Sequence, residues 1–374
     1  MSQSSKRPTP RNGATAATPD RGSAEGTRRF AERHAPAFAP DFYRPTTLGL
    51  TVSSIGIGTY LGDSTEADDA AYETAIGAAV EAGINVIDSA INYRSQRSEL
   101  AVGAAIRAAV GDGLATRDEL VVCTKAGYIP FDRTAPATRD EYQSYVQRTF
   151  VEPQIVHPSE IVAGGHSIAP RFLRYCLAKS RQNLGLRAID LFYLHNPEQQ
   201  LNDISASELR QRVVLAFEFL EEAATRGEIG AYGIATWDGL RVSPDQRNHL
   251  DLASVVGIAR EVGGGGHHFR AIQLPMNLAM PEGFSGATQM LGGQAASVVQ
   301  VAEDLGVSVF GSASLLQGRL TRGLPAQIVD HFPTLATDAQ RSIAFVRGIA
   351  GVATALVGMR SGEHISENLE AGRV

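Results

Sequence analysis

Gly83-Ile84-Asn85-Val86-Ile87-Asp88-Ser89-Ala90-Ile91-Asn92-Tyr93 decides the reading of the fold. A short apolar run, Ile84–Ile87, ends on a carboxylate, Asp88, and a phenol, Tyr93, follows five residues later. The arrangement recurs along the chain. Leu120-Val121-Val122-Cys123-Thr124 ends on Lys125, and Ile189-Asp190-Leu191-Phe192-Tyr193-Leu194 ends on His195. Near-continuous apolar runs fit strands covered on both faces. Polar groups at strand C-termini are where an α/β barrel keeps its chemistry.

Working outward, further strand candidates are Ser53–Gly58, Gly230–Ile234, Ala271–Leu274, Val307–Gly311 and Thr354–Val357. Helical patterns alternate with them: Glu66–Ala82, Ser98–Val110, Pro170–Asn183, Leu209–Arg226, Leu250–Glu261, Ala295–Leu305, Asp338–Ile349 and a last helix from about Gly362. Several end at a glycine, which takes the left-handed conformation of a helix stop cheaply. Strict alternation of eight strands and eight helices predicts a parallel sheet, and the count favours a closed (β/α)₈ TIM barrel over an open doubly wound sheet. Gly56-Ile57-Gly58-Thr59-Tyr60-Leu61 lacks the third glycine of an open-sheet dinucleotide fingerprint. Two connections are oversized, 126–169 after the third strand and Pro275–Gln294 after the sixth, and both are expected to rise over the C-terminal face.

Composition limits the classes. The chain has 374 residues, 20% of them charged, with a net charge of −6, which gives no bulk attraction to nucleic acid or anionic membrane. Two cysteines, Cys123 and Cys176, without pair spacing exclude a disulfide framework and a cysteine zinc site, and they fit a reducing, cytoplasmic setting. No apolar run approaches the ~20 residues of a membrane helix. Residues 1–40 are rich in Ser, Thr, Ala, Pro, Gly and Arg without a sustained apolar period, and they read as a disordered tail before a barrel at 41–374. Their basic excess also resembles a transit peptide.

The four polar groups define a chemistry. A lone buried tyrosine has a pKa above its usual ~10, and a nearby ammonium stabilises the phenolate. Lys125 is placed to do this if Asp88 holds its charge. Tyr93 is then the general acid that protonates a carbonyl oxygen, and His195 orients that oxygen. No side chain supplies a hydride, so a nicotinamide cofactor is required. Each residue taken singly has an ordinary reading: Asp88 as a cap, Tyr93 as packing, Lys125 as a surface charge, His195 as a satisfied core histidine. Glu99 is expected to be structural, to pair with a base, or to touch the site.

In these ordered motifs the chain resembles the aldo-keto reductase family from about Phe42 to its C-terminus. The segment Gly83–Tyr93, Ser98-Glu99 with Gly103, Lys125, and Tyr193-Leu194-His195-Asn196-Pro197 are similar to that family's signatures. So is Val357-Gly358-Met359-Arg360-Ser361-Gly362-Glu363-His364-Ile365-Ser366-Glu367-Asn368-Leu369. The resemblance implies NADPH/NADP+ as cofactor. It implies cofactor contacts from Gly58, Thr59, Tyr60, Asp88, Thr236, Gln273, Asn277, Ser312, Leu315, Gln317, Gly318, Arg360, Ser361, His364 and Asn368. Tyr60, Tyr128 and Trp237 are expected near the substrate, a small-molecule carbonyl compound. Arg360 before a helix N-terminus suits a 2′-phosphate, unless it pairs with Glu363 on the surface.

Departures from the family pattern cluster at the nicotinamide. Ala235-Thr236 stands where relatives have Ser-Asn, and Ser312 where they carry an aromatic residue. Trp237, or Phe310 in a shifted register, is the candidate replacement face. His364 stands where Arg or Lys is common. With no C-terminal loop after the last helix, 128–167 and Pro275–Gln294 are expected to form the lid. Tyr128, Phe131, Tyr142, Tyr145, Phe150 and His166 then either line a pocket for an apolar or aromatic substrate or pack on the barrel. The competing function is an NADP(H)-binding regulatory subunit like the beta subunits of potassium channels. Net isomerisation or dehydration through transient oxidation is a third. A homo-oligomer is compatible with the sequence.

Overall fold

The structure, a computed structural model, describes residues 20–374. Eight parallel strands close into a barrel: β1 (Ile55–Gly58), β2 (Val86–Asp88), β3 (Val121–Ala126), β4 (Ile189–His195), β5 (Ile229–Ala235), β6 (Phe269–Pro275), β7 (Ser308–Ser312) and β8 (Val352–Gly358). Each is followed by its main helix: α1 (Glu66–Glu81), α2 (Arg97–Gly111), α3 (Pro170–Leu184), α4 (Ala206–Thr225), α5 (Leu252–Gly263), α6 (Val298–Asp304), α7 (Asp338–Arg347) and α8 (Gly362–Leu369). Closure is made by β8 pairing with β1, Ala355 opposite Ile55 and Gly358 opposite Gly58. The (β/α)₈ expectation from the alternating runs is therefore met strand for strand.

Successive strand residues face opposite sides of a sheet, and that period builds both core and site. Val86, Val121, Cys123, Leu191, Tyr193, Ala231, Ala271, Phe310 and Leu356 form one buried cluster inside the barrel. The intervening residues, such as Val122, Phe192, Ile234 and Ile272, belong to the larger cluster under the helices. Two residues further along each inward-facing row stand Asp88, Lys125, His195, Gln273 and Ser312. The site floor is thus the next layer of the barrel filling. Phe310 is fully buried against Tyr193, their ring centroids 6.4 Å apart, so it offers no face to a nicotinamide.

The other end is plugged. An antiparallel hairpin, Tyr43–Pro45 with Thr51–Ser53, contributes Leu50 and Val52 to the inner cluster. Beneath it lies a helix at Ala24–His34, capped by Ser23 accepting from the Gly26 amide. The tail expected at residues 1–40 is therefore corrected for its described part, while residues 1–19 lie outside the described residues. Phe30, Ala31, Gly26 and Thr27 form the helix's buried face, and the Thr27 hydroxyl accepts from the Thr51 amide. Three of these four residues are small or polar, so the stripe is faint in sequence. Arg29 and Arg33 fasten the helix to Glu119 at 3.0 and 2.9 Å.

The 126–169 insertion forms a helix, Arg139–Val146, that continues as a π-helical turn at Gln147–Val151. Its aromatic residues other than Tyr128 pack on the barrel and on one another. Phe150 is fully buried against Phe172 and Tyr175 of α3, and the Tyr145 and Tyr142 hydroxyls donate to the Pro130 and Gly164 carbonyls. No helix among the described residues is long and apolar enough to cross a membrane.

Candidate active site

Asp88, Lys125, Tyr93 and His195 meet at the C-terminal mouth of the barrel. Lys125 is fully buried. Its Nζ donates to Asp88 Oδ2 at 2.6 Å and to the Ser89 carbonyl at 2.7 Å. The other Asp88 oxygen accepts from Gln273 Nε2 at 2.8 Å. Burial alone drives an ammonium toward its neutral form, but the Asp88 charge, Tyr93 and the hydrogen bond to Asp88 carry Lys125 above its ordinary value. The Lys125 Nζ lies 4.9 Å from the centroid of the Tyr93 ring.

The chain holds Tyr93 in place by an unusual turn. Arg94, Ser95 and Gln96 all adopt positive φ, 49°, 55° and 71°. Left-handed conformations cost a non-glycine residue energy and persist where surrounding contacts over-determine them. Here the Arg94 guanidinium donates to Asp63 O and Thr65 O and pairs with Asp69 at 2.6 Å. Gln96 is tied to Phe131 O and Asn183. Nothing in the residue types 94–96 announces this turn.

Burial raises the Tyr93 phenol above its usual value, and Lys125 offsets only part of that rise. Lys125 thus acts on the phenol in the expected, lowering direction, but burial is the larger effect. A phenol so held stays protonated at neutral pH, the state a proton donor needs. His195 is pushed well below its usual value, first by burial and then by Lys125 and His166, so it is neutral. Its Nδ1 is buried with no partner among the described residues.

The ring of His195 sits 5.8 Å from Tyr93 and 5.1 Å from Tyr128, and Tyr60 sits 5.0 Å from Tyr93. His166 lies behind this wall. Its Nδ1 accepts from Gln200 at 2.7 Å, which leaves Nε2–H to donate to the His195 carbonyl at 2.7 Å. Burial lowers His166 to about 4, which keeps that neutral pattern. Gly127 passes so close that a Cβ there would stand 2.3 Å from the His195 carbonyl.

A cleft of about 1230 Å³ runs from these groups to α8. Gly58, Thr59, Tyr60, Asp88, Thr236, Gln273, Ser312, Leu315, Gln317, Gly318, Arg360, His364 and Asn368 all line it, as do Tyr128 and Trp237. Ser361 instead caps α8, accepting from the His364 amide at 3.3 Å. Asn277 is fully buried and donates to the Ala313 carbonyl, bracing the loop after β7 rather than facing the cleft. Arg360 pairs with Asp68 of α1, not with Glu363. Glu99 is buried away from the cleft and accepts from Thr124 and Asn183. Of the insertion's aromatics, Tyr128 reaches the cleft, and no residue of 276–294 lines it. The expected lid is therefore not closed over the site, and Tyr60 is 54% exposed. The Pro275–Gln294 connection packs instead against the loop after β5, with Gln289 donating to the Leu240 and Leu250 carbonyls.

Residues not singled out in the sequence also line the cleft: Asn92, Asn196, Arg319 and Arg322. The last two had a legible signal, two cations in a glycine-bounded loop after a barrel strand. Asn92 Oδ1 and Thr236 Oγ1 are buried without partners among the described residues. Unpaired buried polar atoms are costly and call for a ligand or water. They lie at the Tyr93 end, while Arg319, Arg322 and Arg360 supply cations along the cleft. That donor set fits a nicotinamide dinucleotide phosphate.

The model of the aldo/keto reductase family matches residues 54–255. This chain belongs to that family. It is 30% identical over 216 residues to a D-threo-aldose 1-dehydrogenase from a Pseudomonas species, covering 56% of this chain and 58% of that protein. It is 28% identical over 149 residues to a prostaglandin-E(2) 9-reductase of Oryctolagus cuniculus, covering 40% and 33%. The matched parts thus span under two thirds of these relatives' lengths. Among solved structures, an aldo/keto reductase from Klebsiella pneumoniae in complex with NADP and acetate superposes with a TM-score of 0.60 at 20% identity, over 89% of this chain and 90% of that one. An aldo-keto reductase from Bacillus halodurans in its holo form gives 0.55 at 18%, over 88% and 90%.

Proposed function

We propose that the protein is an NADPH-dependent oxidoreductase that reduces an aldehyde or ketone to an alcohol. The observation that carries this reading is the buried Asp88–Lys125 pair placed against Tyr93, with the neutral His195 ring 5.8 Å from the phenol ring. NADPH supplies the hydride when bound. Tyr93 gives its proton to the carbonyl oxygen, Lys125 stabilises the phenolate left behind, and Asp88 holds Lys125 charged. His195 presents an N–H to the same oxygen. Thr236, Asn92 and Gln273 would hold the nicotinamide end, and Arg319, Arg322, Arg360 and the α8 amides the phosphates.

We read the substrate as a polar carbonyl compound. The aromatic cluster that favoured an apolar one is packed under the insertion. Asn92 and Asn196 line the cleft together with Tyr60, Tyr128 and Trp237, and the Asn196 amide donates to the Tyr128 hydroxyl at 2.8 Å. A lining of amides and aromatic rings suits a hydroxylated ring, and the Pseudomonas relative is named for an aldose.

NADPH titration followed by cofactor fluorescence tests the binding half. Wild type should bind, and Arg360→Ala should weaken NADPH about tenfold while changing NADH little, as loss of a charge-assisted 2′-phosphate contact demands. Absence of binding by wild type would overturn the proposal. Binding without turnover on aldoses and aromatic aldehydes alike would favour the regulatory-subunit reading.

A further inference from the structure

After His195 the chain turns through Asn196, φ 50°, into a short 3₁₀ stretch at Pro197–Asn202. Glu198 on that stretch is 1% exposed and does not line the cleft. Its Oε1 accepts from three successive amides of the loop after β5: Trp237 at 2.8 Å, Asp238 at 3.2 Å and Gly239 at 3.4 Å. Converging backbone N–H groups form an anion-binding concavity, filled here by the protein's own carboxylate. Oε2 is buried with no partner, and no ion pair among the described residues includes Glu198. A buried carboxyl without a cation is expensive. Burial accordingly pushes Glu198 up to about 7 despite the pull of those amides.

The same turn is gripped from its other side. Arg241 Nε donates to the Trp237 carbonyl at 2.8 Å, and its Nη2 and Nη1 reach Asp238 and Glu282 at 2.8 and 2.9 Å. The Leu250 amide donates to the Gly239 carbonyl at 2.6 Å. A Cβ on Gly239 would meet the Leu250 side chain at 2.9 Å and Glu198 Cβ at 3.2 Å, so the turn has no slack. What the turn presents to the cleft is Trp237, 38% exposed. Besides Glu198, the titratable and charged groups around the turn are Asp238 and Arg241 on its own loop, Glu282 after β6, and Tyr128 of the insertion, which feels the Glu198 charge.

We propose that Glu198 is a positioning residue that fixes the Trp237 wall of the carbonyl site in register with His195, three residues upstream, and so governs how substrate is held. This rests on the reading of the cleft given above. An acceptor for three amides is a large outlay for one turn, and the turn bears the sole tryptophan of the chain. Because Glu198 touches Trp237 only through its backbone, its effect reaches substrate through that ring.

The single tryptophan makes the test direct, since emission excited at the red edge of the protein band, beyond tyrosine absorption, reports Trp237 alone. Acrylamide quenching, the NADPH dissociation constant, and kcat and KM on the aldose and aldehyde panel are measured for wild type, Glu198→Gln and Glu198→Ala. Glu198→Ala is expected to raise quenching about twofold and KM about tenfold, with the NADPH constant held within about twofold, the pattern of lost substrate positioning. Glu198→Gln, which keeps an acceptor oxygen, is expected to restore most of both. If Glu198→Ala does not fold, Glu198→Asp, which retracts the carboxylate by one methylene, takes its place. Unchanged quenching and KM would overturn the proposal. So would NADPH binding and KM failing together, the mark of a merely structural role. Should wild type show neither NADPH binding nor turnover, the functional reading fails instead, while the quenching comparison still decides whether Glu198 holds Trp237.

Discussion

Replacing Lys125 with methionine is the perturbation whose size follows most directly from the structure. Lys125→Met keeps most of the side-chain volume but removes the partner of a carboxylate buried at the top of the barrel filling. Nζ makes two short hydrogen bonds, 2.6 Å to Asp88 and 2.7 Å to the Ser89 carbonyl, and is fully buried, so solvent screens neither. Breaking a buried pair from one side costs roughly 3–5 kcal/mol, because the remaining charge is left uncompensated. Gln273 still donates to Asp88, which places the expectation toward the lower end. The assay is urea unfolding at pH 7 and pH 5. A buried carboxylate that has lost its cation escapes the penalty by taking up a proton, so the deficit against wild type should be smaller at pH 5. Asp88→Asn in the Lys125→Met background should recover a large part of the loss at pH 7. A deficit under about 1 kcal/mol at both pH values would refute the reasoning, since that is the range of an exposed pair.

Phe30→Ala should cost about 3–5 kcal/mol in the same unfolding assay, as for other fully buried phenylalanines; a cost below about 1 kcal/mol would detach the Ala24–His34 helix from the barrel floor. Glu198 gives a pH signature. Its carboxyl is raised in the fold from the usual 4.5 to about 7, so the folded state holds the proton more tightly. Stability is then full below about pH 4.5 and falls as pH rises to about 7, by roughly 3 kcal/mol in all. Glu198→Gln should flatten that slope relative to wild type, and an unchanged slope would contradict the assignment.

What sequence reveals here follows from period and position. The barrel strands were legible because most are nearly unbroken apolar runs, and the four polar groups because Asp88, Lys125 and His195 each close such a run and Tyr93 follows Asp88 by five residues. The inward parity of Val121, Cys123 and Lys125, or of Leu191, Tyr193 and His195, carries the core straight into the site. Three features were not legible. The Ala24–His34 helix buries a glycine and a threonine on its inner face, which no hydropathy window detects. The left-handed run Arg94–Gln96 is enforced by tertiary hydrogen bonds that its side chains donate to the carbonyls of Asp63, Thr65 and Phe131, distant in sequence. The insertion's tyrosines could serve a pocket or a packing face equally well by composition, and only the position of α3 beneath them decides for packing.

The central claim is that Tyr93 protonates a carbonyl beside a bound nicotinamide. The measurement that tests it most directly is NADPH oxidation by wild type and Tyr93→Phe across a panel of aldoses and aromatic aldehydes, with NADPH binding measured on the same samples. Removing a general acid should lower kcat by about 10²–10⁴-fold while the phenyl ring leaves NADPH binding intact. Turnover by Tyr93→Phe at the wild-type rate would contradict the account.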